Sequence, residues 1–355
     1  MAKHEVFYHA SQNMKELENE SVNLIVTSPP YPMIEMWDDI MIKQNPRIKD
    51  EWEKENYNTV FELMHQELDK VWSECYRVLE PGGIACINIG DATRTLSKNF
   101  ALYTNHSRIL NSCINLGFQN LPNIIWRKQT NAPNKFMGSG MLPPGAYVTL
   151  EHEFILILRK GTKRLFKSAE EKETRSESAF FWEERNVWFS DLWDVKGTKQ
   201  KFKEDIRKRS GAYPIEIPYR LISMFSVKGD TVVDPFFGTG TTTLAAIATN
   251  RNSVGYEIDP KFKDTVKEVI LNQENKLNSI ISERLQRHLL FVENRIKTKG
   301  SDAFKYQNSN FNFPVMTRQE LKIKLDYIDQ ISGDGDSFNS SYLEECSVTN
   351  PLQLL

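Results

Sequence analysis

Two short segments of this chain hold residues whose types and spacing could do chemistry. The first, "VVDPFFGTGTTTLAA" (Val232 to Ala246), runs as an apolar strand into Asp234, then through a glycine turn into a helix expected to open near Thr241. Glycines let a backbone approach a ligand closely, and a helix N-terminus offers unpaired N–H groups. Three ligand classes use that geometry. A phosphate loop requires a lysine after its second glycine, whereas Gly240 is followed by Thr241, Thr242 and Thr243. A dinucleotide fingerprint requires a third glycine where Thr243 stands. A nucleoside without phosphate needs neither. "SVGYEID" then adds a second strand ending in Glu257, where a carboxylate can accept both ribose hydroxyls. Strand, Asp, glycine turn, helix, strand and Glu in that order suit S-adenosylmethionine.

The second segment is "VTSPPYPMIEMWDD" (Val26 to Asp39). The hydrophobic run Val22 to Val26 reads as a buried strand, yet it stops on Ser28, Pro29, Pro30 and Tyr31. Prolines cannot continue a sheet ladder. A core strand therefore ends on a rigid, donor-poor, aromatic-tipped turn.

The elements that must position these residues read as an α/β fold. Strand candidates Val22–Val26, Ile84–Ile89, Ile124–Arg127, Phe154–Leu158, Thr231–Val233 and Ser253–Tyr256 alternate with helical patterns. Such alternation marks a doubly wound, mostly parallel, Rossmann-like sheet. Residues 60–79 place Phe61, Leu63, Met64, Leu68, Val71, Trp72, Cys75 and Leu79 near helical spacing, and "EPGG" after them reads as a stop. Tyr103–Leu116 and Ile217–Phe225 read as further helices. Pro32–Asn58 is long and polar, the mark of a mobile lid. Residues 162–210 are basic and rich in Trp and Phe, and read as an insertion. Lys261–Lys297 shows a long charged helical pattern, "TRQE" at Thr317 makes a capping box for a short helix, and the tail from Ser332 reads as mobile. The domain expectation is thus 1–161, an insertion at 162–210, 211–260, and a helical extension at 261–355.

Composition sets outer bounds. With 355 residues, 40% hydrophobic and 26% charged, the chain matches an ordinary globular protein. "MAKHEVFYHASQ" lacks the apolar core of a signal peptide, and no run approaches a membrane span. Cys75, Cys86, Cys113 and Cys346 are scattered without metal-type pairing, so a reduced cytoplasmic setting with no metal is expected. A net charge of −2 gives no global attraction to nucleic acid. Locally, KGTKQKFKEDIRKR (Lys196 to Arg209) has seven basic residues and RKGTKRLFK (Arg159 to Lys167) has five. Two such runs in proximity suggest a polyanion-facing surface, against the plainer reading of a solvated face.

"TSPPY" and "DPFFGTGTT", in that order and with "RVLEPGG" and "IIWRK" between them, resemble the β-type permuted DNA amino-methyltransferases, which act on cytosine N4 or adenine N6. The resemblance covers roughly Phe7 to Pro260. It implies S-adenosylmethionine as methyl donor, double-stranded DNA as substrate, and a restriction-modification setting with a separate cognate endonuclease. It further implies that Asp234 faces the methionine amino group, that Phe236 packs along the nucleoside, and that Gly238, Thr239, Gly240 and Thr241 line the turn. Tyr213 and Pro214, in "GAYPIEIPYRLI", would contact the methionine end; Ser210-Gly211 stand where relatives carry a histidine. Relatives often have Gly-Asp where this chain has His9-Ala10, so His9 is read as structural.

The chemistry needs such residues because an exocyclic amine is a poor nucleophile, its lone pair delocalised into the ring. Two fixed acceptors about its N–H bonds can expose that lone pair, and Ser28 Oγ with the Pro29 carbonyl would provide them without reorganisation. Tyr31 would give an extruded base a face to stack on. No cysteine stands by the prolines, which excludes attack through cytosine carbon 5. Serine at position 28 favours cytosine N4; adenine N6 is the alternative. RNA or protein-glutamine methylation and a non-catalytic DNA-binding role are the more distant readings. Residues 162–210 and the loop Gln129 to Val148 would read the DNA sequence, while Asp91 suits either the base pocket or a helix cap.

Overall fold

The computed structural model describes residues 1–128, 137–197 and 213–344. An eleven-stranded sheet organises them. In chain order its strands are β1 (Ala2–Phe7), β2 (Val22–Thr27), β3 (Leu79–Ile89), β4 (Phe118–Asn120), β5 (Ile124–Arg127), β6 (His152–Lys160), β7 (Leu192–Trp193), β8 (Thr231–Asp234), β9 (Asn252–Tyr256), β10 (Ile328–Gly333) and β11 (Ser337–Tyr342). In space they run β7-β5-β6-β3-β2-β8-β9-β1-β11-β10, with β4 also paired to β6. The central five, β3-β2-β8-β9-β1, are parallel. β6 joins one side antiparallel and β11 the other.

Both faces of β2 and β8 are covered, which is why their sequences are near-continuous apolar runs, whereas β1 (AKHEVF) alternates. Leu24, Val26 and Val232 pack against helices Glu216–Phe225 and Thr241–Ala248 on one face. Ile25, Val233 and Val254 pack on the other face against helix Tyr57–Val78, whose buried stripe is Val60, Leu63, Met64, Leu68, Val71, Trp72, Cys75 and Val78. Cys75, Cys86 and Cys113 are buried and free; Cys346 lies outside the described residues.

Several expectations are corrected. "EPGG" ends the helix but does not separate it from the next strand. Helix Tyr57–Val78 passes directly into β3, whose irregular start contains those residues and shifts register against β2. Gly82 has φ +94°, and a Cβ there would meet the Arg164 backbone nitrogen at 2.6 Å. Pro32–Asn58 is no structureless connection. It forms helices Asp38–Gln44 and Arg47–Glu53, anchored by fully buried Met41 and Ile48. The aromatic residues of 162–197 do not build a separate subdomain: Trp188, Trp193 and Val195 enter the main core, and Phe181 stacks on His288 of helix Glu274–Lys299 at 4.0 Å.

The C-terminal extension is only partly helical. The long pattern after Pro260 breaks into helices Lys263–Ile270 and Glu274–Lys299, with Asn272 left-handed between them (φ 59°). The capping box at Thr317 caps a single 3-10 turn, Arg318–Glu320. The stretch from Ser332 read as a mobile tail carries, in its described part, the end of β10 and all of β11, which covers the sheet edge that β1 would otherwise expose. Phe338 and Ser340 are fully buried there, and His4 of β1 bridges Ser253 (2.9 Å) and Ser340 (3.0 Å). Burial lowers the His4 imidazole to about 3, so it is neutral and joins β9, β1 and β11 without charge.

Phe338→Ala should cost about 3–5 kcal/mol, the usual range for emptying an aromatic core site. Urea unfolding measures this; an unchanged midpoint would show that the hairpin is not part of the cooperative sheet.

Candidate active site

From β2 the chain crosses to β3 on one side; from β8 it crosses to β9 on the other. In open α/β sheets the crevice at the carboxyl ends of two such diverging strands is where ligands bind. Both sequence motifs end there, side by side. Thr27, the last residue of β2, donates its hydroxyl to Asp234 Oδ1, the last residue of β8, at 2.6 Å.

Three donors hold Asp234. Its Oδ1 also accepts the Phe236 N–H at 3.1 Å, and Oδ2 accepts the Thr242 hydroxyl at 2.5 Å. Thr242 meets the Tyr213 hydroxyl at 2.7 Å. Burial raises the Asp234 carboxyl to about 6, against the pull of these donors. Gly240, at φ +86°, turns the chain into helix Thr241–Ala248. On the neighbouring strand tip, Glu257 accepts the Gly238 N–H (2.9 Å) through one oxygen and the Asp259 N–H (2.9 Å) through the other. Burial pushes its carboxyl up to about 7.

The proline turn is held from several elements. Buried Asn105 donates to the Pro32 carbonyl (3.1 Å) and the Gly90 carbonyl (3.0 Å), tying the turn to the end of β3. Its Oδ1 faces His65 Nε2 at 3.0 Å. Burial lowers the His65 imidazole to about 4, so a neutral ring must carry its proton on Nε2 to donate there. Tyr31 donates to Glu153 Oε2 at 2.9 Å, and Asn88 Nδ2 donates to Glu153 (2.7 Å) and Tyr31 (2.9 Å). Glu153 also pairs with Lys128. Burial first, and the Glu153 carboxylate second, hold the Tyr31 phenol well above its usual range.

Two adjoining cavities, of about 850 and 830 Å³ including space open to solvent, occupy the crevice. Ser28, Pro29, Tyr31, Tyr213, Asp234, Phe236, Gly238, Thr239 and Thr241 line the first. Ser28, Pro30, Phe236, Gly238 and Glu257 line the second, with His9. Ser28, Trp37, Phe236 and Gly238 face both. Pro214 and Gly240 face neither; they shape the chain behind the wall, Pro214 by accepting the Ile217 N–H at the start of a helix. Phe237 serves core and site, packing on Gly255 while lining the first cavity. Asp91 lines neither cavity and is not the N-cap of helix Asn105–Leu116, which is Thr104; it holds the first turn from outside, accepting the His106 N–H at 3.1 Å and facing its Nδ1 at 2.8 Å.

Asn88, Asn105 and Glu153 escape the sequence motifs, while Thr27 and Lys128 stand inside "TSPPY" and "IIWRK" without a role read for them. The available signal is weak but physical: Asn88 and Glu153 are polar residues inside otherwise apolar strands, and buried polar groups require partners. The basic run Arg159 to Lys167 lies at the opposite edge of the sheet. Lys160 donates to the Leu79 carbonyl and Arg164 to Asp230, both at strand beginnings. Most of the other run, together with Ser210-Gly211, lies outside the described residues.

A protein-family model for DNA methylases of the N6/N4 type matches residues 22–268. The Type II methyltransferase M.MthZI of Methanothermobacter thermautotrophicus is 51% identical over 91% of this chain and 90% of its own length. The chain belongs to the N6/N4 DNA methyltransferase family. M.MjaI of Methanocaldococcus jannaschii is likewise 51% identical, over 75% of this chain and 91% of its own. Among solved structures, TTHA0409 of Thermus thermophilus in complex with S-adenosyl-L-methionine has a TM-score of 0.58 and 30% identity, covering 75% of this chain and 92% of that one. This methyltransferase uses S-adenosylmethionine and acts on DNA, so the RNA, protein and non-catalytic readings fall away. Its crevice fits the cofactor's chemistry: a partly exposed aromatic ring, Phe236, lines both cavities, with buried Asp234 on the first and partly buried Glu257 on the second.

Thr27→Val removes a hydroxyl donor from Asp234, so the carboxyl should titrate above about 6. A carboxyl-carbon NMR titration reads that directly. S-adenosylmethionine should then bind more weakly near neutral pH and recover in mildly alkaline buffer; unchanged affinity in both would detach Asp234 from the cofactor.

Proposed function

We propose that this methyltransferase transfers its methyl group to the exocyclic N4 of cytosine in duplex DNA, as the modification half of a Type II restriction-modification system. The observation that carries the reading is Ser28, a neutral acceptor on a braced proline turn, facing both cavities. The Type II relatives support the setting, in which a separate cognate endonuclease would cut the unmethylated site.

In this reading Glu257 receives the ribose hydroxyls, Phe236 packs along the nucleoside, and Asp234 with Tyr213 surrounds the methionine end. Bound there, the cofactor supplies an electrophilic sulfonium methyl. The chain supplies positioning. Ser28 Oγ and the Pro29 carbonyl accept the two N–H bonds of an extruded base, and Tyr31 packs on its ring. Acceptors fixed before the reaction need not reorganise as charge develops, and this is their advantage over water. Reading of the duplex falls to 129–148 and to the part of 162–210 not fastened to the core or to helix Glu274–Lys299, with phosphate contacts drawn from Lys196 to Arg209. A duplex-DNA substrate sets the place of action in the cytoplasm. No helix among the described residues is long and apolar enough to cross a membrane.

Ser28→Ala should leave cofactor binding intact and lower turnover by about 10²-fold, the usual effect of deleting one preorganised group. Asp234→Ala should abolish S-adenosylmethionine binding in a calorimetric titration. Base-resolved sequencing of DNA methylated in vitro reports base and site together: N4-methylcytosine is expected, and N6-methyladenine would overturn the base assignment.

A further inference from the structure

Behind Ser28 runs a chain of hydrogen bonds that ends on a buried carboxylate. Ser28 Oγ lies 3.3 Å from the Tyr31 hydroxyl, which lies 2.9 Å from Glu153 Oε2. Glu153 is 7% exposed, sits on β6, and lines the first cavity. No sequence motif of the reaction includes it.

The direction of the chain follows from donor and acceptor capacity. An ionised carboxylate only accepts, so Tyr31 must donate its proton to Glu153. Asn88 cannot reverse this. Its Nδ2 faces Glu153 at 2.7 Å, Tyr31 at 2.9 Å and Ser28 at 3.4 Å, and turning the amide over would set its oxygen against the carboxylate. With its proton committed to Glu153, the Tyr31 oxygen accepts from Ser28. Ser28 then has its own proton turned inward and its lone pairs free toward the cavity. That is the state in which it can accept an amine N–H.

We propose that Glu153 is the terminal proton acceptor of the methyl transfer, reached from the target amine through Ser28 and Tyr31, and that it sets the polarity that makes Ser28 an acceptor. This rests on the reading of Ser28 given above. As the C–N bond to the methyl forms and the C–S bond breaks, the sulfonium becomes a neutral thioether and the amine sheds one N–H proton. Ser28 Oγ takes that proton while passing its own to Tyr31, and Tyr31 passes its own to Glu153, which becomes a neutral carboxyl. The positive charge of the donor and the negative charge of Glu153 vanish together. Tyr31, with its phenol held well above the usual range, stays protonated and serves only as a conduit. Lys128, whose side chain is 41% exposed, pairs with the Glu153 carboxylate before transfer and can turn to solvent once that carboxylate is neutral, leaving water to take the proton from Glu153.

Glu153→Gln separates chemistry from architecture. An amide oxygen can still accept from Tyr31 and Asn88, and Lys128 can turn to solvent, but the basic group is gone. Single-turnover transfer from tritium-labelled S-adenosylmethionine to duplex DNA should fall by about 10²-fold or more, the usual contribution of a positioned acid–base group, with cofactor and DNA affinity unchanged. Glu153→Ala leaves room for a small carboxylate, so added formate should restore its rate, a response that a merely structural side chain would not give. Glu153→Gln at the wild-type rate, or Glu153→Ala indifferent to formate, would overturn the relay. Ser28→Ala is measured in parallel: at the wild-type rate it removes the reading of Ser28 itself, whereas a slow Ser28→Ala beside an unimpaired Glu153→Gln removes the relay alone. Circular dichroism of each variant excludes misfolding as the cause.

Discussion

The contact on which the site depends is a single hydrogen bond, Thr27 to Asp234, 2.6 Å long and spanning 207 positions of the chain. A carboxylate buried this deeply is costly without donors. Its side-chain partners come from two elements: Thr27 from the tip of β2, Thr242 from the helix that follows β8. Satisfying Asp234 therefore brings the end of β2 against the end of β8. The two cavities meet along that seam, at Ser28, Phe236 and Gly238.

The halves of the site are built differently. The half proposed for the cofactor is local: Asp234, the glycine turn, Thr242 and Glu257 lie within one strand-helix-strand unit, and their bonds run mostly among themselves. The half proposed for catalysis is assembled from afar. Ser28 and Tyr31 are braced by Asn88 from β3, Glu153 from β6 and Asn105 from a helix start. Proline rigidity fixes the backbone of the turn, but side-chain polarity has to come from neighbouring strands. An acceptor-only carboxylate at one end of a hydroxyl chain imposes direction on every member, and a direction imposed by the fold need not be established during the reaction.

The periphery shows how charge and aromatic content mislead when read without partners. Lys160 and Arg164 stabilise strand beginnings on the far side of the sheet, with Asp230 as one partner. Glu184 of the aromatic insertion meets buried Arg284 at 2.6 Å and Glu183 meets His288 at 2.7 Å, so those acids fasten the insertion to the long C-terminal helix. Trp188 and Trp193 belong to the main core. Burial of aromatic rings and pairing of charges, rather than contact with a ligand, account for much of that segment.

What the sequence determined by itself was the local part of the protein. The proline turn, the glycine turn and the carboxylates at two strand tips follow from backbone chemistry acting over a few residues, and Ile124–Arg127 and the helix from Thr241 form where periodicity places them. Tertiary structure alone decided which polar residues serve the turn. Asn88, Glu153 and Lys128 come together only because β6 lies antiparallel between β3 and β5. It also set the β10–β11 hairpin against the open edge of β1: its Asp334-Gly335 turn is local, but its place beside β1 is not. Hydrogen-bond partners fixed by distant strands leave no periodic trace in the chain, which is why they emerge only in the fold.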